Sequence, residues 1–230
     1  MKSTRFCPAC AAVLGLLAAG ILDRAKADEA QTSIGEVPLC DLGSAIYEGV
    51  PGGLYPDGTS IRPARHEAAG LAIAREEVVP RDPSGAPSPD GKIVLISVGV
   101  SHTTMMFARD GPNSFKPRAD ADPARNPRLV IVDGASDGHP TAQWLGNVPP
   151  WGGREPWAIL DERLAAAGVS ARQVQVAWLM SIGGAFPDAE GASFADLAKN
   201  RQAGMEALVR ALKYRFPNLK LAYTIATAIP

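Results

Sequence analysis

The sequence predicts an α/β fold, a doubly wound parallel sheet covered by helices. Two observations carry this reading. Short apolar runs suited to strands recur at residues 93–98, 128–134, 174–180 and 219–227. Helix-patterned stretches separate the later runs, at 155–168 and 193–216. Strands that alternate with helices pair in parallel through right-handed crossovers. A length of 230 residues suits one such domain.

Each element has its own signal. Residues 93–98 (IVLISV) form an apolar run broken only by Ser97, as in a strand buried on both faces. RLVIVDG (128–134), VQVAWLM (174–180) and LKLAYTIAT (219–227) repeat that pattern. ARHEAAGLAIAREE (64–77) places apolar residues at helical spacing among good helix formers, so it is read as a helix. The helix at 155–168 has Pro156 in its first turn and Gly168 as its stop. The helix ending at Phe216 is capped by Ser193, with Asp196 three residues on, and Pro217 stops it. Residues 28–63, rich in Gly, Pro and Asp, read as an ordered arm, and residues 80–91 as a loop. The domain organisation expected is therefore an arm and helix over 28–91 and an α/β domain from residue 92 to residue 230.

The N-terminus reads as a separate segment. Lys2 and Arg5 precede an apolar run at 9–22, shorter than a bilayer span, and Ala25-Lys26-Ala27 offers a cleavage site. Residues 1–27 are thus expected to be a secretory signal peptide, with an uncleaved anchor as the competing reading. Cleavage removes four cations and one anion, taking the net charge from -1 to -4. It also removes Cys7 and Cys10, whose C-x-x-C spacing lacks the strand and helix of a redox motif. Cys40 then stands alone, and no internal disulfide forms. Export places the protein outside the cytoplasm, secreted or periplasmic, with no stable membrane insertion once the leader is gone. No basic tract points to nucleic acid.

In a parallel sheet of this kind, ligands sit at the carboxyl ends of the strands. The first such end is VGVSHTT (98–104). Ser101 there is either a nucleophile held out after a buried strand or a polar residue where a strand stops. Thr103 stands where a G-x-S-x-G elbow needs its second Gly. His102 is a poor partner for Ser101, because neighbours in an extended segment point apart. The second end, DGASDGHPTA (133–142), has two glycines that suit an oxyanion contact or a tight turn, and His139 is an acid/base candidate or structural. The third, WLMSIGGAF (178–186), offers Gly183 and Gly184. Trp144, Trp151 and Trp157 beside the second end are either a sugar-stacking platform or loop packing. His66, His102 and His139 lack zinc spacing, DADPARNPR (120–128) fails as a calcium loop at Ala124, and no P-loop occurs. No metal or cofactor is expected.

Taken in order, GKIVLISVGVSHTT, NPRLVIVDGASDGHPTA, AAGVSARQVQVAWLM and RFPNLKLAYTIAT resemble a group of secreted bacterial proteins in the SGNH (GDSL-like) hydrolase superfamily. GGLYPDGTSIRPARHEAAGLAIA resembles that group's N-terminal arm, so the likeness runs from about Val37 to Ala226. It implies a flavodoxin-like three-layer α/β/α fold. It also implies a nucleophilic Ser after the first strand, a Gly after the second, an Asn after the third and a late Asp-x-x-His. Ser101 matches the nucleophile, and the backbone N–H groups of Ser101 and Gly138 match the oxyanion hole. Gly99-Val100-Ser101 lacks the Asp of Gly-Asp-Ser. Met180, Ser181, Ile182 and Gly183 stand where Gly-x-Asn-Asp is expected, a loss of one oxyanion donor worth roughly 3 kcal/mol. The last strand, its helix and the Asp-x-x-His base are expected past Pro230, so the chain as given is expected to be nearly inactive. Two functions follow. One is a secreted esterase acting on acyl esters, acetylated carbohydrate among them. The other is a non-catalytic carbohydrate-binding or structural protein on the same fold.

Overall fold

The computed structural model describes residues 42–47, 50–109, 111–180 and 182–225. The signal peptide and its cleavage site, Cys7, Cys10, Cys40, Ser181 and the end of the fourth apolar run lie outside the described residues. The chain forms two compact units, residues 1–62 and 63–230. In the first, β1 (Ile46–Tyr47) and β2 (Val50–Pro51) pair antiparallel.

The second unit opens with α1 (Ala64–Glu76). The loop after it folds back on the next strand, Arg81 and Lys92 exchanging N–H···O bonds of 2.9 and 2.8 Å. Four strands then build one sheet: β3 (Ile93–Gly99), β4 (Leu129–Val132), β5 (Val174–Met180) and β6 (Leu221–Thr224). All neighbours are parallel and their order is β4-β3-β5-β6. The first strand of the sheet is thus central, the second lies on one side and the next two on the other. This is the flavodoxin-like order, and the reversal of direction at β3 is its switch point. β4, β5 and β6 fall within their apolar runs, and β3 runs one residue past its own, to Gly99.

Helices cover both faces. α5 (Pro156–Ala166) and α6 (Phe194–Arg215) bury Leu160, Leu164, Leu208 and Leu212 in a cluster with Val94, Ile96, Val98, Ala177 and Leu179. Alternation along β5 sends Trp178 to the opposite face. There its ring stacks on Phe107, centroids 5.2 Å apart. Phe107 belongs to the connection between β3 and β4, which holds α2 (Ser101–Thr104), a π-helical turn (Met105–Arg109) and α3 (Phe115–Ala121). A short α4 (Thr141–Trp144) follows β4. α2, α3 and α4 are not apparent in the sequence, because four to seven residues are too few to show a helical period. Among the described residues no helix is long and apolar enough to cross a membrane.

Candidate functional site

The carboxyl ends of β3, β4 and β5 carry three loops, and backbone chemistry fixes each. Gly99 closes β3 with φ +153°; a Cβ there would lie 2.1 Å from both the Met180 carbonyl oxygen and Thr103 Oγ1. The close approach lets Thr103 bridge two strand ends. Its hydroxyl donates to the Met180 carbonyl at 2.5 Å and accepts from the Val100 N–H at 3.1 Å. That bridge turns the chain directly from β3 into α2, with Ser101 as the first helical residue. The residue that breaks the G-x-S-x-G pattern is therefore the one that makes the turn.

Ser101 is half-buried, and its hydroxyl makes no hydrogen bond among the described residues. Its backbone N–H is likewise unengaged among them, as expected at the start of a helix. His102 beside it is exposed and has no described partner.

The second loop is built on Ser97, the one polar residue inside β3. Ser97 is fully buried. Its hydroxyl donates to Asp133 Oδ1 at 2.6 Å and accepts from the N–H groups of Gly134 and Ala135 at 3.0 and 3.2 Å. From α5, Arg163 Nη1 donates to the carbonyls of Asp133 and Ala135 at 2.8 and 2.5 Å. The turn out of β4 is thus held from both sides. Two ties bring it against the Ser101 segment. The Ser136 N–H donates to the Gly99 carbonyl at 3.0 Å, and Arg109, at the end of the π turn, pairs with Asp137 at 3.2 Å. Gly138 follows with φ +76°, exposed, its N–H unengaged among the described residues.

His139 is spoken for. It is 3% exposed, and its ring nitrogens face two backbone carbonyls, Nδ1 to Asp137 and Nε2 to Arg154, both at 2.9 Å. It joins the Gly138 loop to the Trp151 loop. The three tryptophans divide. Trp144 is 1% exposed and meets Trp157 edge-on, centroids 4.7 Å apart. Their indole N–H groups donate to the carbonyls of Gly99 and Trp144, and Arg215 lies over the Trp157 ring. Both are packing residues, whereas Trp151 is exposed.

The third loop carries no titratable group at its tip. Thr141 holds it through the Ile182 and Gly183 carbonyls, at 3.1 and 3.0 Å. Asn147 donates to the Ala185 carbonyl at 2.7 Å, and Asn200 of α6 to that of Phe186 at 2.9 Å. Gly184 is buried under the Asn200 amide and lines no opening. Two surface hollows, of about 210 and 510 Å³, have neither Ser101 nor Gly138 in their walls. Among the described residues no group of three His, Cys, Asp or Glu is placed to hold a metal.

The structure thus brings the Ser101 and Gly138 loops together and places both at the switch point. Among the described residues neither the His102 nor the His139 ring hydrogen-bonds Ser101. The Ser97–Asp133 pair, Arg163 and Thr103 are supporting residues the sequence reading did not identify; a lone Ser inside an otherwise apolar strand was the available signal for the first. Comparisons with protein-family models, with curated proteins and with solved structures found no match.

Proposed function

We propose that the chain is a serine hydrolase of the SGNH type that acts on acyl esters outside the cytoplasm. Ser101 Oγ would attack the ester carbonyl carbon as its proton passes to solvent, and the carbonyl oxygen would become the oxyanion. The alcohol would leave with a proton from solvent as the carbonyl re-forms, and water would then cleave the acyl-serine to the free acid and Ser101. The N–H groups of Ser101 and Gly138 would receive the oxyanion. One observation carries the reading. At the carboxyl end of the central strand, a serine hydroxyl and two backbone N–H groups on adjoining loops make no hydrogen bond among the described residues. Elsewhere in these loops polar groups are closely satisfied, as at Ser97, Thr103, Thr141 and His139. No described side chain touches Ser101 as a base, so its reaction is expected to be slow.

A second reading, a non-catalytic carbohydrate-binding protein on the same fold, is favoured by His139. The one buried histidine beside the site has both ring nitrogens against backbone carbonyls and neither against Ser101. Fluorophosphonate labelling followed by intact mass separates the two. The hydrolase is expected to gain one adduct slowly and to lose it in Ser101→Ala. A folded protein that stays unlabelled, or a Ser101→Ala variant that still labels, sinks the hydrolase reading.

A further inference from the structure

We propose that Trp151 is a stacking platform for a β-linked pyranose ring, set beside the Ser101–Gly138 site. The proposal deepens the carbohydrate-binding reading and rests on it; of the hydrolase reading it shares only the location at the carboxyl edge, and it does not need Ser101 to react. Trp151 is 72% exposed, and its indole N–H has no partner among the described residues. A single exposed apolar residue is ordinary on a protein surface. This one is held in place. The ring lies on the Gly138 backbone: a Cβ on Gly138 would come within 3.2 Å of Trp151 Cγ. The turn that carries it is tight, with Gly152 and Gly153 at φ +65° and +70° and the Gly153 N–H donating to the Pro150 carbonyl at 3.1 Å. The buried His139 ring ties the end of that turn, through the Arg154 carbonyl, to the loop under the indole. An aromatic ring is therefore fixed against the loop that adjoins Ser101, with much of its surface in solvent.

The ligand class follows from the surroundings. A pyranose with equatorial substituents presents a flat face of axial C–H groups, which an indole face receives. Its hydroxyls need planar, charged partners at the rim. Asp137, next to Gly138, and Arg154, next to Gly153, supply them. Both are half exposed or more, and each belongs to an ion pair, with Arg109 at 3.2 Å and with Glu162 at 2.7 Å. Carboxylates and guanidinium groups accept from and donate to vicinal hydroxyls in pairs.

Calorimetric titration with cellotetraose, xylotetraose and the N-acetylglucosamine tetramer tests this. None carries an O-acyl ester, so hydrolysis does not enter the measurement. At least one is expected to bind, with affinity reduced about tenfold or more in Trp151→Leu and within about threefold of wild type in Trp151→Phe. Leu and Phe both fill the site with apolar bulk, and only Phe keeps a ring face. Saturation should also shift the Trp151 indole N–H resonance and leave that of buried Trp144 in place. No binding by any of the three, or equal binding by the Leu and Phe variants, overturns the platform. Failure of fluorophosphonate labelling with sugar binding intact removes the hydrolase and leaves the platform standing.

Discussion

Gly99 and Ser97 show how little freedom the strand end has. At Gly99 a methyl group would sit 2.1 Å from a carbonyl oxygen and a threonine hydroxyl that themselves hold two loops. Neither can retreat without breaking the Thr103 bridge. Gly99→Ala is therefore expected to cost about 3 kcal/mol or more, read as a fall in the urea midpoint. At Ser97 the defect is polar. Ser97→Ala would take the hydroxyl donor from Asp133 and the acceptor from the Gly134 N–H in a buried setting. We expect a loss of about 1–3 kcal/mol, with Ala135 partly rescued by its second acceptor, Asp133 Oδ1 at 3.3 Å. Equal stability of Ser97→Ala and wild type in urea would show that water replaces the hydroxyl. Part of this was legible in the sequence. Ser97 stood out as the one break in an apolar run, and Ser101 as the hydroxyl past a strand end. Their partners were not legible. Asp133 is 36 residues from Ser97 and Met180 is 77 from Thr103, and pattern reading reaches only a few residues along the chain. His139 and the tryptophans show the same limit. Their chemical types leave catalysis and sugar binding open beside structural roles, and only the fold decides that His139 and Trp144 are structural and Trp151 is exposed.

At the scale of elements, the long helices and the strands were readable because each spans enough residues to display a period and a stop signal. α6 is the clearest case. Ser193 was expected as its cap with Asp196 in a box, and the Ser193 hydroxyl does accept from the Asp196 N–H at 3.2 Å. It also donates to the Asp196 carboxylate at 2.6 Å. That hydrogen bond, and then the Ser193 N–H, hold the Asp196 carboxyl below its ordinary value of 3.8. A folded-state value below the unfolded one adds stability above the unfolded value, and that stability is lost as pH falls through the folded value. Ser193→Ala should therefore lower stability by about 1 kcal/mol at neutral pH through loss of the cap. It should also flatten the acid limb of the stability curve below pH 3.8, the ordinary carboxyl value. A variant as acid-sensitive as wild type would mean that the Ser193 N–H and Lys199, without the hydroxyl, set the Asp196 carboxyl.

At the scale of the molecule, the larger unit has one core and one weak edge. β3 lies between β4 and β5, and Val94, Ile96 and Val98 are fully buried. Among the described residues β6 lies at the edge of the sheet, its Ala222, Tyr223 and Thr224 exposed. Amides open either locally or with the whole domain, and burial on both sides forces the second route. The amides of β3 and of β5 from Val176 to Leu179 are therefore expected to exchange slowest, at least about a hundredfold more slowly than those of β6. A core substitution sharpens the test. Leu212 of α6 is fully buried in the cluster that includes residues of both β3 and β5, and Leu212→Ala should cost about 2–5 kcal/mol. If the core unfolds as one unit, that loss speeds exchange in β3 and β5 by the same factor. β6, already opening locally, changes less. Acceleration of β5 with β3 left protected would show that the sheet comes apart between these two strands, at the switch point where Thr103 bridges them. The Ser101 and Gly138 loops adjoin there, so the same hydrogen-exchange measurement reports whether the candidate site stands on the most stable part of the fold.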